Sequence, residues 1–530
     1  MKRLIYFSLL LFILISCKNN SVDPLAEENK KLPINEKIKL SLAPDYIDSI
    51  GIHDENVTFL NSLYSTRDYR PFWINDSCLT KDGKLLEELL KNTLQFSIPD
   101  QRYSHFNWEK ANFLQKELMI TSKLALLSED LSNGIFEKDT FAIRVSSFPE
   151  IVDFITRINF KSSNKNEISH QIINWGPKDS NYLKLAINLY DFCQQEKIDT
   201  TTFDVPTLKT DTINCQIKLK EALISKGFIK SETIDSIVIV NALKKFQSQN
   251  GLDADGKVGL FTRKALNEST YKKILRTVLT LDKWRKKSEY SERNIRINIP
   301  EYMLFLSLDS IKEQHRIIVG KTETRTPELQ AKINRFVLFP YWTVPQSIKN
   351  KEMLAEAQNN VSYFKRNNLK VFKNEVEVDP TTINWHKYKN TFPFKVRQEF
   401  GPKNSLGIIK YEFNNPYGVY LHDTPSKGLF SKDIRSFSHG CMRCQDPIQL
   451  AKTILINDCK NGNCNKIDTL QLDSLILLGQ NKTVHLLNTI QINVEYKSVI
   501  SRDDQLVFLI DIYDKDEKYI QLLKRKTLHN

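Results

Sequence analysis

Two histidines and a cysteine lie in one short stretch of the chain, in an order that suits nucleophilic catalysis. His422 precedes Cys441 by nineteen positions, and Ser438, His439 and Gly440 come directly before this cysteine. A cysteine attacks as the thiolate, so it needs a base or a positive field nearby. Either histidine can supply the base, and a glycine lets the backbone turn tightly and aim N–H groups at one spot, as an oxyanion hole requires. The pattern predicts a nucleophilic cysteine site.

Metal binding is the main alternative for this cysteine. Cys441-x-x-Cys444 followed by Cys459-x₄-Cys464 approximates the spacing of a zinc ribbon. In an exported protein, disulfides are favoured over thiolate zinc sites, and Cys459 with Cys464 then predicts a local disulfide in a small Asn/Gly-rich loop. We therefore expect neither a metal nor a cofactor.

The composition is typical of a globular protein with several domains. The chain has 530 residues, of which 41% are hydrophobic and 26% charged, and this excludes wholesale disorder. Its 16 Gly and 18 Pro exclude a fibrous chain. The net charge is +13, but acidic residues interleave with the basic ones and no basic aromatic platform is present. We therefore expect a solvated Lys-rich surface and no nucleic-acid partner.

The N-terminal residues predict export and a lipid anchor. Residues 1–17 form a signal peptide, because the apolar run at 4–15 follows two basic residues and is too short to span a bilayer. It ends in Leu-Ile-Ser-Cys17, which resembles a bacterial lipobox and implies lipidation of Cys17. Residues 18–40 predict a flexible tether. Because the three residues after Cys17 (Lys-Asn-Asn) include no acidic sorting residue, we expect a cell-envelope lipoprotein on the periplasmic side of an outer membrane.

The first half of the mature chain is predicted to be helical. Residues 41–206 carry apolar side chains at the spacing of amphipathic helices and contain no catalytic constellation, so they predict a helical scaffold domain.

A separate unit is predicted at residues 207–269. Its segment FQSQNGLDADGKVGLFTRKALN closely resembles the peptidoglycan-binding type 1 domain, a small three-helix module. The acidic loop is also similar to a calcium loop, but Lys264 stands where such a loop ends in glutamate.

The remaining residues are predicted to be mostly β-structure. A connecting helix is expected at 270–294, a catalytic domain at 295–488 and a C-terminal β extension at 489–530. The predicted fold class is therefore α+β and multidomain, with a helical scaffold, a small helical module and a mostly-β catalytic domain.

The motif around the cysteine resembles the signature of L,D-transpeptidases, which is a His followed after fifteen to twenty residues by Ser/Thr-His-Gly-Cys-x-Arg. The similarity extends to INIPEYMLFL, VGKTETRTPELQ, FPYWTVPQSI, FGPKNSLG and YLHDTPSKGLF. These segments are similar to the large periplasmic type of the family, which also has a scaffold, a peptidoglycan-binding module and a capping insertion. The resemblance implies such an insertion at about residues 345–397.

The resemblance also implies roles for individual residues. Cys441 would be the acylated nucleophile and His422 its general base, while the N–H groups of His439, Gly440 and Cys441 would hold the oxyanion. Arg443 would order the loop and favour negative charge near the thiol. The residues expected to bind substrate are Tyr420, Trp342 and Ser438.

This chain departs from the family pattern just after the motif. The Asn that often closes the signature is replaced around Cys444-Gln445-Asp446, and the thiol of Cys444 raises the prospect of oxidative inactivation by a bond to Cys441.

The implied reaction forms 3→3 cross-links between peptidoglycan stem peptides through a thioester on Cys441, with carbapenems as covalent inhibitors. Expected partners are the stem peptides and glycan, and the membrane through the N-terminal lipid. Two alternatives stay open: an L,D-carboxypeptidase, in which water accepts the acyl group, and a catalytically inactive peptidoglycan-binding lipoprotein.

Overall fold

The computed structural model describes residues 29, 31–53, 56–103, 106–135, 148–157, 164–196, 198–207, 209–230, 235–286, 290–460 and 467–528. It divides into two compact units. Of the described residues, the first unit comprises those up to 193 with 284–286 and 527–528, and the second comprises those from 194 to 283 and from 290 to 526. The predicted signal peptide, Cys17 and Cys464 lie outside the described residues.

The first unit is helical. The longest of its described helices is capped at the N-terminus by Asn112. The Asn112 side chain accepts a hydrogen bond from the Gln115 N–H, and the Gln115 side chain accepts one from the Asn112 N–H. Such a capping box satisfies two N–H groups that a helix start leaves without partners. The helices are α1 (Ile34–Ser41), α2 (Pro44–Ser49), α3 (Val57–Ser65), α4 (Lys81–Leu90), α5 (Phe113–Asn133), α6 (Phe148–Arg157), α7 (Lys165–Ile173) and α8 (Ser180–Gln195).

The second unit begins with a small helical module around one buried glutamine. Gln247 donates to the Asp255 side chain (2.9 Å) and the Lys257 carbonyl (3.0 Å), and it accepts from the Gly256 N–H (2.8 Å). These bonds explain why the glycine-punctuated loop keeps one conformation between its helices. The helices are α9 (Thr212–Ser225), α10 (Ser236–Gln249), α11 (Leu260–Leu266) and, continuing the chain, α12 (Thr270–Arg285).

Fifteen strands follow, in three sheets. They are β1 (Arg293–Asn298), β2 (Met303–Leu308), β3 (Ile311–Gly320), β4 (Leu329–Leu338), β5 (Trp342–Thr343), β6 (Leu369–Lys373), β7 (Val376–Val378), β8 (Lys395–Gln398), β9 (Ile409–Phe413), β10 (Leu421–His422), β11 (Ser436–Ser438), β12 (Met442–Cys444), β13 (Lys482–Glu495), β14 (Val499–Arg502) and β15 (Gln505–Phe508).

The main sheet has nine strands in the order β11-β3-β12-β10-β9-β4-β13-β1-β2. Strand β3 also pairs with β2, so all strands except β11 form a closed ring. The inward-facing residues Ile297, Leu304, Ile317, Phe336 and Tyr411 are fully buried and belong to one continuous core. Closure removes the free sheet edges and gives the site strands fixed neighbours on both sides.

An inserted lobe, defined here as residues 345–397, lies in the chain between the ring strands β4 and β9. The strands β5-β8-β6-β7 form a separate antiparallel sheet. Its helices are α13 (Gln346–Ile348), α14 (Leu354–Asn359) and α15 (Ser362–Arg366), with a π-helical turn at Lys349–Met353. Phe364, Trp385, Phe392 and Phe394 lie in its own hydrophobic core.

The C-terminal part differs from the predicted β extension. The predicted boundary at residue 489 falls inside β13, which pairs with both β1 and β4 and therefore belongs to the ring. Periodicity missed the helices because their short apolar runs are compatible with strands. The chain after the site contains α16 (Pro447–Lys460), α17 (Thr469–Leu477) and α18 (Lys515–Leu528).

Helices dominate the N-terminal half and β-structure the ring, which confirms the α+β multidomain prediction. Among the described residues, the helices fall short of the length and apolar character needed to cross a bilayer.

The lobe's separate core predicts that it can be loosened alone. Replacing Phe364, which stacks on Trp385 at 5.2 Å, by alanine removes a buried ring and should cost about 3–5 kcal/mol. We expect faster hydrogen exchange across residues 345–397 and unchanged exchange in β13. Val376→Ala, at an exposed lobe position, is the control and should change little. Equal acceleration in the lobe and in β13 would show that the two cores unfold together.

Candidate active site

The catalytic motif is built on two adjacent parallel strands. In the β10–β12 pair, Leu421 faces Met442 and His422 faces Arg443. Side chains alternate along a strand, so Leu421 and Met442 point to the fully buried core. The side chains of Tyr420, His422, Cys441 and Arg443 therefore share the opposite face.

The turn that carries the thiol is held by Ser438. The Ser438 hydroxyl donates to the Cys441 carbonyl (2.6 Å) and accepts from the Gly440 N–H (3.1 Å). Gly440 has φ +114°, a conformation that side chains with a Cβ rarely adopt. Ser438 is itself buried and shapes the turn from inside, and its predicted substrate-binding role stays a prediction.

One of the three predicted oxyanion donors is already occupied. The Gly440 N–H is bonded to Ser438 Oγ, so it is not offered to a ligand. The sequence did not predict this hydrogen bond, because Ser438 was expected to bind substrate and not the backbone of the turn. His439 and Cys441 remain as the predicted N–H donors.

Burial controls the charge of the nucleophile. It raises the pKa of the Cys441 thiol, and the Tyr420 N–H and hydroxyl, Lys410 and Arg443 only partly offset this effect. The Lys410 ammonium also lies 4.3 Å from the centre of the Tyr420 ring. The thiol of Cys441 is therefore protonated at rest, whereas the thiolate is the form that attacks.

The imidazole of His422 is neutral. Burial, followed by the charge of Arg443, lowers its pKa to about 3. Its Nδ1 contacts the Asp423 carbonyl, and since a carbonyl only accepts, Nδ1 carries the proton. The lone pair is then on Nε2, which is the form that a general base needs.

Arg443 is, with Lys410, one of two positive groups that act on the Cys441 thiol and the His422 imidazole. Its guanidinium lies close enough to lower the pKa values of both Cys441 and His422. Within the part of the chain that the structure describes, its Nε is buried without a hydrogen-bond acceptor. The charge therefore favours a thiolate and opposes an imidazolium.

The second thiol of the motif points away from the first. Cys444 and Met442 share the core-facing side of β12, and Cys444 is fully buried. Burial raises its pKa to about 12, so it stays protonated. Because Cys441 faces the other side, the two sulfur atoms are badly placed for a disulfide or a shared zinc ion. Cys78, Cys193 and Cys215 are, like these two, free thiols.

His439 and Trp342 link the motif to the inserted lobe. Nε2 of His439 lies 2.5 Å from Oε1 of Glu352, in the π-helical turn of the lobe. The Trp342 side chain packs on the lobe core and lies close enough to Tyr420 to oppose the rise that burial causes in the pKa of the Tyr420 hydroxyl. Both residues thus contact protein groups, and their predicted catalytic and substrate-binding roles stay predictions.

Three residues of the site were missed by sequence reasoning. Glu352 contacts His439, Thr326 donates its hydroxyl to the Gly440 carbonyl (2.9 Å), and Tyr513 accepts from the Thr326 N–H (3.1 Å). Thr326 and Gly440 are 114 positions apart, and Thr326 and Tyr513 are 187 apart. No local spacing could have linked them.

The raised thiol pKa predicts how Cys441 reacts with pH. Alkylation by iodoacetamide, followed by mass spectrometry of the Cys441 peptide, should increase with pH and reach half its maximum above about pH 9. No step is expected between pH 5 and 7, because the His422 pKa is about 3. Cys78, an exposed thiol, is the internal control for the reagent. A midpoint below pH 7 would indicate a resting thiolate–imidazolium pair and contradict this assignment.

Comparison with protein families assigns the two motif-bearing regions. Residues 292–467 match a family described as the L,D-transpeptidase catalytic domain. Residues 58–189 match a scaffold domain, and residues 217–266 match a family described as "Putative peptidoglycan binding domain".

A relative from Haemophilus influenzae, named "Putative L,D-transpeptidase", is 36% identical over 162 residues, or 30% of this chain. The aligned part spans about a third of the length of that relative (33%). The chain thus contains an L,D-transpeptidase catalytic domain and a peptidoglycan-binding type 1 module, as the motifs predicted.

Proposed function

We propose that this protein is a cysteine-dependent L,D-transpeptidase that forms 3→3 cross-links in peptidoglycan. The observation that carries the proposal is the shared face of β10 and β12, where a thiol, a neutral imidazole and a buried guanidinium meet within a matched L,D-transpeptidase domain.

Because the Cys441 thiol and the His422 imidazole are both neutral at rest, the first step includes a proton transfer between them. As Cys441 Sγ attacks the carbonyl carbon of the third stem residue, its proton passes to His422 Nε2, so that negative charge develops on the carbonyl oxygen. The N–H groups of His439 and Cys441 receive that oxyanion. The carbon–nitrogen bond to the terminal D-alanine then breaks, and His422 returns the proton to the departing amine.

The second step releases the enzyme. The product of the first step is a thioester, and the amine of a neighbouring stem attacks its carbonyl carbon while His422 takes the amine proton. The carbon–sulfur bond breaks, the proton returns to sulfur, and an amide joins the two stems. Water in place of the amine would give the carboxypeptidase alternative.

The charges around the site support a mechanism in which Cys441 attacks the carbonyl carbon at the same time as its proton moves to His422. Arg443 opposes a lasting imidazolium on His422, so a resting ion pair is disfavoured. The same guanidinium attracts negative charge that forms on sulfur or oxygen. Its effect is thus greater when charge develops than in the neutral ground state, which is the condition for lowering a barrier.

The inserted lobe is proposed to cover the acyl site. Glu352 of the lobe contacts His439, and Trp342, just before the lobe in the chain, packs on the lobe core and lies close to Tyr420. A covering lobe would exclude water from the thioester and favour the amine acceptor over hydrolysis.

The nucleophile assignment predicts a covalent adduct. Wild-type protein incubated with a carbapenem should gain the mass of one inhibitor molecule, and Cys441→Ala should gain none because the thiol that forms the thioester is missing. Cys444→Ala, which removes the core-facing thiol, is the matched control and should still be acylated. An adduct that persists in Cys441→Ala, or a wild type that forms none, would favour the inactive binding protein.

The acceptor is identified with disaccharide-tetrapeptide as substrate and mass spectrometry of the products. We expect a dimer lacking one D-alanine, which is the 3→3 product. Tripeptide without dimer would instead show the L,D-carboxypeptidase.

We also propose that a lipid on Cys17 anchors the protein to the outer membrane, facing the periplasm. The basic start, the short apolar run and the lipobox-like ending at Cys17 support this proposal.

The anchor predicts a change of fraction. Cys17→Ala should move the protein from the membrane fraction to the soluble fraction, since the lipid would be lost. Cys78→Ala, which removes an exposed thiol elsewhere, should stay with the membrane. Continued membrane association of Cys17→Ala would contradict the lipid anchor.

A further inference from the structure

The chain beyond the matched catalytic domain returns to the catalytic turn through one buried tyrosine. Tyr513 lies after β15, outside residues 292–467, and is fully buried. Its hydroxyl donates to the Gly320 carbonyl (2.7 Å) and accepts from the Thr326 N–H (3.1 Å). Both partners belong to the tight connection that follows β3.

Thr326 passes this contact on to the motif. Its hydroxyl donates to the Gly440 carbonyl (2.9 Å) and accepts from the Gly320 N–H (2.9 Å). Gly320 has no room for a side chain, because a Cβ there would lie 2.0 Å from the Thr324 carbonyl oxygen. Tyr513, Gly320 and Thr326 thus form a closed set of hydrogen bonds directly behind the turn.

Tyr513 is itself held by its own segment. Its N–H donates to the Tyr496 hydroxyl (3.0 Å), and that hydroxyl donates to Asp511. Asp511 accepts the N–H groups of Lys515 (2.9 Å) and Asp516 (2.8 Å) at the start of α18. Burial raises the pKa of Tyr513, so the hydroxyl remains a donor at physiological pH.

Because the peptide bond is planar, the contact at the Gly440 carbonyl also orients the N–H group of Cys441. The C=O of Gly440 and the N–H of Cys441 belong to one planar trans peptide, in which they point in opposite directions. A hydrogen bond from Thr326 that fixes the carbonyl therefore also fixes where the Cys441 N–H points. Since the Gly440 N–H is occupied by Ser438, the Cys441 N–H is one of the two donors left for the oxyanion.

We infer that Thr326 and Tyr513 are positioning residues that aim the Cys441 N–H at the oxyanion. This inference rests on the proposed function, because it requires an acyl transfer at Cys441. It adds Tyr513 to the residues that support the site, although Tyr513 lies outside the residues matched by the catalytic-domain family.

The test compares acylation by a carbapenem in four variants. Thr326→Val removes the hydroxyl and keeps the shape, and Thr326→Ser restores the hydroxyl. Tyr513→Phe removes the bonds to Gly320 and Thr326. Tyr411→Phe is the matched control, since it removes a fully buried hydroxyl that bonds only the Pro447 carbonyl (2.6 Å).

The acylation rate at saturating inhibitor separates positioning from binding. We expect Thr326→Val to lower this rate about 10- to 100-fold, with the inhibitor concentration at half-saturation changed less than about twofold. Thr326→Ser should recover most of the rate, and Tyr513→Phe should lower it about tenfold. Melting temperatures of all variants are measured in parallel.

Two results would overturn the inference: a Thr326→Val variant that is acylated at the wild-type rate, or one that loses no more rate than Tyr411→Phe. A wild type that is not acylated would overturn the proposed function itself, and this inference with it.

Discussion

The parallel pairing of β10 with β12 is the constraint on which the site depends. A shift of one residue in this register would turn either Cys441 or His422 into the core, because side chains alternate between faces. The closed ring prevents such a shift, since β10 is also paired with β9 and β12 with β3. The fold therefore acts on the chemistry by fixing a register, and the core residues Leu421 and Met442 anchor it.

Burial disfavours charge on both Cys441 and His422, and the nearby positive groups only partly offset this effect at Cys441. It keeps the thiol of Cys441 protonated and the imidazole of His422 neutral, and both effects oppose an ion pair at rest. The same dry environment strengthens the interaction of Arg443 with charge that appears during reaction. A protonated resting thiol is also less open to oxidation, because the thiolate is the reactive form.

Sequence reasoning identified the site because its parts are local. The motif around Cys441 and the loop after Gln247 are short patterns whose residue types follow from backbone geometry. The apolar spacing over residues 41–206 also predicted a helical domain, and α3, α5 and α8 lie within that range. The C-terminal boundary failed for a physical reason: β13 belongs to the ring through pairing with β1, and such long-range pairing leaves no local sign. The contacts of Thr326 and Glu352 could not be predicted for the same reason, because their partners are distant in the sequence.

The place of β13 in the ring has a consequence for how the protein is made. This strand lies between β4 and β1, so the ring cannot close until residue 495 has left the ribosome. A nascent or prematurely terminated polypeptide would already contain the whole His-to-Cys motif, yet it would lack the strand that completes its sheet. The residues around His422 and Cys441 can therefore be assembled only when synthesis of the chain is almost finished.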